Sequence, residues 1–441
     1  MIQELPAAVK NYLNKFGFTK WSLELSTDRL FNTIVVIPAI EESENLPKLL
    51  ASLSENNDDS FSDILFLVVI NNLESSSVEV KTDNQKLLSY LRKITAFSAD
   101  DELARKLVSK KMNLAVVDAS SPGLEMPAKD GGVGLARKIG MDLALSYFHF
   151  SSSKSKILVC LDSDCVVSKN YTLALKEISE KKYTAGYIEY EHLLPEDDAE
   201  KTAIMVYEIF LRFYVLGLKY AHSPFAFDTI GSTMYCSVDS YIKIGGMNKK
   251  KAAEDFYFME KLAKISDIHK VKSAKVFPSS RRSWRVPFGT GQRINRFFAG
   301  THDEYSLYNP VSFEILSKWH KVFFDAHILS AEEYLNTAEQ IDSALKTFLI
   351  EQSFAEAWKK ILNETTRKDQ LKKQKHYWFD GFRTLKLIHY LRDTKYPAVN
   401  IFYALDQMLA KYSVKVDNEK PAKEWQLLWE YLKQLRLLNN N

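Results

Sequence analysis

The sequence predicts an α/β fold, in which a doubly wound sheet of largely parallel strands precedes a helical C-terminal region. Over the first 170 residues, short apolar runs rich in β-branched residues alternate with helical patterns. Such runs are typical of parallel strands that are buried on both faces. Their alternation with helices favours a doubly wound sheet. From about Tyr305 onward strand patterns stop and long helical patterns with Lys and Glu faces take over, which predicts the helical region.

The elements follow from the same patterns. We predict strands over Thr33–Ile37, Asp63–Ile70, Leu114–Val117, Lys156–Leu161 and Tyr183–Tyr190. We predict helices, by apolar spacing and by Pro47 in a first turn, over Leu46–Leu53, Asp83–Ile94, Asp101–Lys111, Val133–Phe148 and Phe256–Ile265. The amphipathic N-terminal segment, the aromatic segment near residues 204–218 and the segment around Leu428–Leu435 predict three more helices.

Composition excludes several classes of protein. The chain has 441 residues, of which 46% are hydrophobic and 26% charged, a globular balance that predicts two or three domains. A formal charge of +3 gives no field for nucleic acid. The most apolar run, Ile204–Leu218, is interrupted by Glu208 and Arg212, so we expect no integral membrane segment, whereas peripheral membrane contact stays open. Three cysteines without zinc spacing suit a reducing compartment, and we expect a cytoplasmic protein.

A candidate cation site follows the fourth strand. Asp162 and Asp164 flank Ser163, and alternate residues of an extended chain point the same way. Two carboxylates favour a hard ion, Mg²⁺ or Mn²⁺, which would also bind a diphosphate. The alternative is a solvated pair of loop acids, but ligands of open parallel sheets bind at such strand ends. His302 is a further candidate metal ligand, although a lone histidine is more often structural.

A glycine-rich turn, Gly131–Gly134, leads into the helix that carries Arg137. Backbone N–H groups at a helix start can hold phosphate, or the glycines can simply make a flexible loop. Arg137 stands where the dinucleotide fingerprint needs glycine, which argues against a Rossmann dehydrogenase.

Two further clusters could carry chemistry. Glu254 and Asp255 begin a helical pattern, where acids either complement the helix dipole or act as a general base in a cleft. Four arginines within thirteen residues could bind phosphate oxygens or form a basic surface patch. They are Arg281, Arg282, Arg285 and Arg293, with Trp284 among them.

Taken in order, these segments resemble the family 2 glycosyltransferases, which have the GT-A fold. VVIPAIEESENL (Val35–Leu46) is similar to the opening strand and loop of that family, and GGVGLARKIGMDLAL (Gly131–Leu145) to its G-x-x-x-A-R-N-x-G helix. LDSDC (Leu161–Cys165) occupies the D-x-D position. Ile230–Leu262 resembles the acceptor-side stretch that ends in an E-D pair. The resemblance covers roughly residues 30–300.

The resemblance implies a GT-A-type mixed sheet, like that of nucleotide-diphospho-sugar transferases, and assigns roles. We expect an N-terminal helical extension over residues 1–30, the transferase domain over 31–304 and a helical domain over 305–441. The implied base is Asp255, with Glu254 beside it, and the implied metal ligands are Asp164 and Asp162, with His302 kept as the further candidate named above. The implied donor-binding residues are Pro38, Ala39, Glu42, Asn71, Asn72, Arg137 and Asp162, to which the arginine cluster adds Arg282 and Arg285 as candidates for the phosphates.

The implied activity is metal-dependent transfer of one hexose-like sugar from a nucleotide-sugar donor to an acceptor hydroxyl, with inversion. The acceptor could be a glycan, a lipid-linked compound or a small molecule. Ile40, Glu41 and the Asn71–Asn72 pair depart from the family pattern around the base, so GDP stays as open as UDP. Two alternatives are a catalytically silent sugar-nucleotide or glycan-binding protein and a phosphohydrolase that uses Asp162. A pyrophosphorylase is disfavoured because no glycine-rich turn with a lysine follows the first strand.

Overall fold

The structure, a computed structural model, describes residues 4–56, 58–283, 289–365, 367–416 and 423–440. The chain forms two compact units. The first comprises Met1–Leu193 and Thr229–Gln292, and the second Leu194–Asp228 and Arg293–Asn441.

A nine-stranded mixed sheet organises the first unit. Its strands are β1 (Leu23–Glu24), β2 (Thr33–Ala39), β3 (Ile64–Asn71), β4 (Asn113–Ala119), β5 (Ile157–Cys160), β6 (Val166–Val167), β7 (Ala185–Tyr190), β8 (Met234–Ser237) and β9 (His269–Phe277). Their order in the sheet is β1-β4-β3-β2-β5-β8-β7-β9-β6. The strands from β4 to β5 in this order are parallel, and β8 runs antiparallel to both of its neighbours. The four parallel strands therefore place their carboxyl ends at one edge of the sheet.

The helices α1 to α18 connect these strands and form most of the second unit. In chain order they are Ala7–Phe16, Leu46–Ser54, Val78–Thr95, Glu102–Ser109, Val133–Ala144, Tyr171–Glu180, Asp198–Tyr220, Val238–Lys243, Glu254–Ala263, Thr290–Ala299, Pro310–Phe323, Ala331–Ile341, Ser343–Glu351, Phe354–Glu364, Lys368–Trp378, Gly381–Thr394, Ile401–Ala410 and Glu424–Asn440. Two 3₁₀ turns cover Asp58–Asp63 and Leu145–Tyr147, and two short strands, β10 (Ser306–Leu307) and β11 (Val399–Asn400), pair in the second unit.

Helices cover both faces of the parallel strands. Successive side chains of each strand point to opposite faces of the sheet, so each strand contributes apolar residues to both layers of helices. Val35 and Ile37 belong to the apolar core that α2, α3, α4 and α6 share with the sheet. Val36, on the other face, lies under α5 at Gly140, where an added Cβ would come within 2.4 Å of its Cγ1. The predicted α/β fold class with a doubly wound mixed sheet is confirmed.

The second unit is helical and encloses an aromatic core. Trp319 and Trp358 are fully buried there, among rings that include Phe323 and Phe354. Burying aromatic side chains contributes strongly to the stability of a core. These rings therefore fill the core of the second unit.

The packing groups the chain differently from the predicted boundary at residue 304. Helix α7 belongs to the second unit, where it packs against α18. Its Glu208 is fully buried and accepts hydrogen bonds from Arg212 at 2.7 Å and from Arg436 at 2.8 Å. Because buried charges need partners, Glu208 is paired with Arg212 of its own helix and with Arg436 of α18, and the second pair ties α7 to the C-terminal helix.

The described helices include none that has both the length and the apolar composition needed to cross a bilayer. The three cysteines are buried and form no disulfide. Cytoplasmic location stays a prediction.

Candidate active site

Polar side chains gather at the edge where β2, β3, β4 and β5 end. Glu42 follows β2, Asn71 ends β3 and Asp162 follows β5. Ligands of open α/β sheets bind beyond the carboxyl ends of the strands. The edge is therefore the candidate site, and most of the predicted residues that the structure describes lie on or beside it.

Arg137, on α5, is the centre of a buried ion-pair network. Its side chain is 2% exposed, and its Nη2 donates to Asp162 Oδ1 at 2.5 Å while its Nη1 donates to Glu254. Burial opposes the charge of Arg137, but the two carboxylates outweigh burial and raise its pKa. Gly231 allows the guanidinium to lie there, since an added Cβ would be 2.6 Å from Nη2. The guanidinium of Arg137 therefore links the loop that follows β5 to the start of α9.

Asp255 differs from its neighbour Glu254, although both begin α9. Glu254 is buried and paired with Arg137. Asp255 is partly exposed, and its Oδ1 accepts a hydrogen bond from the Phe256 N–H at 2.7 Å. Desolvation first, and then the charge of Glu254, raise the pKa of Asp255 to about 7, against the opposing effect of Arg137. A carboxyl with that pKa is suited to take up a proton near neutral pH.

The backbone before α9 is strained. Ala253 adopts a left-handed conformation with φ of 57°, which costs about 1–3 kcal/mol for a residue with a Cβ. Glu41, in the loop after β2, has φ of 54°, and its N–H donates to Asn84 Oδ1 at 2.9 Å. Such strain is concentrated at functional sites. Here it occurs in two of the three loops that bring acids to the sheet edge, and also at six other non-glycine residues of the described chain that lie outside these loops.

The glycine-rich turn before α5 packs against the loop that leads to α9. A Cβ on Gly134 would lie 2.4 Å from the Lys250 carbonyl oxygen, and one on Gly132 would lie 3.1 Å from the Lys251 Cα. Glycine is needed where two backbones approach this closely. The turn thus sets the position of the Glu254–Asp255 pair, a role that neither the phosphate-binding nor the flexible-loop interpretation anticipated.

Arg281 joins two acids of the site. Its Nε donates to Asp164 Oδ2 at 3.0 Å, and its Nη2 donates to Glu42, which is 3% exposed. Sequence reasoning placed Arg281 in the arginine cluster but chose Arg282 and Arg285 as donor-binding residues. Arg282 is exposed, and Arg285 lies outside the described residues. The arginine cluster predicted that some arginine would lie at the site. It could not predict that Arg281 would be the one to contact the acids, because every arginine of the cluster can bind phosphate equally well.

The two asparagines at the end of β3, Asn71 and Asn72, form hydrogen bonds to other groups of the protein. Asn71 Nδ2 donates to the carbonyl oxygens of Ala39 at 3.0 Å and Val69 at 3.1 Å. Asn72 is fully buried, and its Oδ1 accepts from Asn84 Nδ2 at 2.8 Å. These amides fix the loops at the sheet edge, and Asn84, on α3, is a member that the sequence pattern did not reveal.

Pro38 and Ala39 lie within β2 and are buried, paired with Val69 and Ile70 of β3. A donor that approaches this strand therefore meets the backbone at its end rather than these two side chains.

Asp162 and Asp164 form the candidate cation site. Their side chains are 35% and 24% exposed, and each shares one oxygen with an arginine. In the described part of the chain, no three His, Cys, Asp or Glu side chains come together to hold a metal ion. Mg²⁺ binds through one or two carboxylates plus phosphate oxygens and water, so the pair fits a cation that a diphosphate would help to hold. His302 lies in the second unit, exposed, with its Nδ1 3.0 Å from Thr301 Oγ1.

Comparison with known proteins finds matches among solved structures only, at low sequence identity. No protein-family model and no curated protein matches the chain. Residues 1–349 of TarS from S. aureus, in complex with UDP-GlcNAc, match with 14% identity and a TM-score of 0.37, over 79% of this chain and 91% of that one. The mannosyltransferase PcManGT from Pyrobaculum calidifontis, in complex with GDP-Man and Mn²⁺, matches with 13% identity and a TM-score of 0.35, over 98% of this chain and 92% of that one. At this level of similarity neither structure identifies the family, donor or acceptor of this chain.

Proposed function

We propose that the chain is a glycosyltransferase that moves one sugar from a nucleotide-sugar donor to an acceptor hydroxyl. The observation that carries the proposal is the position of Asp255, a partly exposed carboxyl with a pKa of about 7, beside the Arg137 ion-pair network at the sheet edge. A general base that works near neutral pH needs such a pKa, and strongly shifted pKa values are concentrated at functional sites.

The donor half of the site combines two acids with arginines. Asp162 and Asp164 would hold Mg²⁺ or Mn²⁺, which neutralises charge that develops on a departing diphosphate. Arg281 and Arg282 follow β9, and arginine forks match phosphate oxygens. Arg137 is shared between Asp162 and Glu254, so its part is to hold both acids in place while the donor binds.

In the proposed reaction, Asp255 takes the proton of the acceptor hydroxyl. The hydroxyl oxygen forms a bond to the anomeric carbon as the bond from that carbon to the diphosphate oxygen breaks, and the nucleoside diphosphate leaves with the electron pair. Attack opposite to the leaving group inverts the anomeric carbon. A sugar hydroxyl is a poor nucleophile at neutral pH, and general-base catalysis typically contributes about 10²–10⁴-fold in rate.

The structure offers less support for the two alternatives. A phosphohydrolase would use Asp162 as a nucleophile, but its Oδ1 is already engaged in an ion pair with Arg137 Nη2 at 2.5 Å. A silent binding protein would have no use for an acid with the raised pKa of Asp255.

A thermal-shift panel identifies the donor. A ligand that binds only the folded state raises the melting temperature by mass action. UDP-GlcNAc and GDP-Man are the first compounds to test, each with Mn²⁺ and with chelator. We expect one nucleotide class to raise the melting temperature with Mn²⁺, and the effect to be lost in Asp164→Asn but kept in the surface variant Arg105→Gln. A panel in which no nucleotide sugar shifts the wild-type protein would contradict the proposal.

A further inference from the structure

Arg281 lies between two acids of the candidate site, Asp164 and Glu42. Its Nε is 3.0 Å from Asp164 Oδ2 and its Nη2 donates to Glu42. Glu42 is 3% exposed, while the Arg281 side chain is 32% exposed. The guanidinium therefore reaches from the more open part of the site towards two acids that lie deeper.

The contact has an electrostatic reason. A buried carboxylate such as Glu42 is costly unless it is paired, and Asn45 Nδ2, which donates to Glu42 Oε2 at 2.8 Å, carries no charge. Arg281 supplies the positive charge. A divalent cation on Asp164 would supply it as well, but like charges a few ångströms apart repel strongly at the low effective dielectric of such a site. The guanidinium and the cation are therefore competitors for Asp164.

We propose that Arg281 is a counter-ion of both Glu42 and Asp164 in the unliganded protein, and that it must leave Asp164 before Mn²⁺ or Mg²⁺ binds there. The proposal rests on the proposed function, since the diphosphate of a donor supplies the oxygens to which Arg281 turns. Cation and nucleotide then bind as a coupled pair, and the cation alone binds weakly. Coupling between two ligands is commonly about 5–150-fold in affinity.

The test measures Mn²⁺ alone. Mn²⁺ is titrated into the full chain and free Mn²⁺ is followed by electron paramagnetic resonance, for the wild type, Arg281→Gln, Arg281→Lys and the control Arg105→Gln, whose arginine pairs with Asp100 on the surface. We expect Arg281→Gln to bind Mn²⁺ about tenfold more tightly than the wild type, within the usual range of coupling. Arg281→Lys keeps the charge and should stay within about threefold of the wild type, the typical context-dependence of one interaction. It also keeps Glu42 paired if the Gln variant is unstable.

A second titration adds the nucleoside diphosphate that the thermal-shift panel selects. In the wild type it should raise the affinity for Mn²⁺, and in Arg281→Gln the increase should be smaller. Three results would overturn the proposal. The wild type and Arg281→Gln could bind Mn²⁺ with equal affinity, Arg281→Gln and Arg281→Lys could gain Mn²⁺ affinity to the same extent, or none of the proteins could bind Mn²⁺. If instead Mn²⁺ alone behaves as expected but no nucleotide changes its affinity, the competition stands and the proposed function fails, so the two failures are distinguishable.

Discussion

Replacing Asp255 by asparagine should make the protein both much less active and more stable at alkaline pH. The pKa of Asp255 rises from 3.8 to about 7 on folding. Between these values the folded state binds more protons than the unfolded state, so stability falls as pH rises from about 4 to about 7 and then levels off. At 1.36 kcal/mol per pKa unit, a rise of roughly three units sets an upper value of about 4 kcal/mol on the cost of ionising Asp255 in the folded protein. Asparagine does not titrate and avoids this cost.

The neighbouring acid provides the matched comparison. Glu254 is buried and paired with Arg137, which is 2% exposed. Glu254→Gln removes one of the two carboxylates from a buried guanidinium, and breaking a buried pair costs about 3–5 kcal/mol. Because Asp162 still pairs with Arg137, we expect the lower end of this range. Two substitutions at adjacent positions should thus change stability in opposite directions.

The assay is urea unfolding of the wild type, Asp255→Asn and Glu254→Gln at pH 5 and pH 8, with turnover measured on the same preparations. Asp255→Asn should gain stability at pH 8 and much less at pH 5, while kcat falls about 10²–10⁴-fold and donor Kd changes less than about threefold, because the diphosphate is held elsewhere. If Asp255→Asn is no more stable than the wild type at pH 8, or if Glu254→Gln is the variant that loses turnover, the assignment of the base is refuted.

Four other substitutions test separate parts of the structure. Asp164→Asn should abolish the Mn²⁺-dependent part of nucleotide affinity in calorimetry, because it removes a carboxylate from the cation site. Gly134→Ala should lower stability by about 1–3 kcal/mol and reduce kcat, because its Cβ meets the Lys250 carbonyl at 2.4 Å. Tyr12→Phe should lower the free energy of unfolding in urea by about 1–3 kcal/mol, because the Tyr12 hydroxyl donates to the buried carboxylate of Asp142 at 2.9 Å. Trp358→Ala should cost about 3–5 kcal/mol, since the side chain is fully buried.

Each of these has an outcome that would count against it. Nucleotide affinity of Asp164→Asn that still responds to chelator would remove the aspartate from the cation site. Wild-type stability of Gly134→Ala would mean that the loop before α9 moves freely. A Tyr12→Phe protein as stable as the wild type would show that the hydrogen bond of the Tyr12 hydroxyl does not stabilise the fold. A Trp358→Ala protein as stable as the wild type would contradict a core role for that ring.

The sequence predicted the sheet well because its signal is local. Apolar runs such as Thr33–Ile37 and Asp63–Ile70 predict strands from their own residues, without knowledge of the helices that pack against them. Both runs are strands within two residues of the predicted bounds. The mixed direction of the sheet came from the resemblance, because the pattern of β8 says nothing about which strand it pairs with.

Contacts between distant segments could not be predicted. Tyr12 on α1 donates to Asp142 on α5, and Lys138 donates to both of them. This network makes the N-terminal helix part of the first unit rather than a separate extension. Arg281 meets Asp164 across 117 positions of sequence. The arginine cluster suggested phosphate binding, but only the fold shows which arginine faces the acids.

The most direct test of the central claim is release of nucleoside diphosphate from the donor that the thermal-shift panel selects, followed at pH 8 with Mn²⁺ for the wild type and Asp255→Asn. We expect the wild type to release the diphosphate, with transfer of the sugar to an added acceptor or slowly to water. Asp255→Asn should release it about 10²–10⁴-fold more slowly. Release of inorganic phosphate instead, or equal rates for the two proteins, would contradict a glycosyltransferase that uses Asp255 as its base.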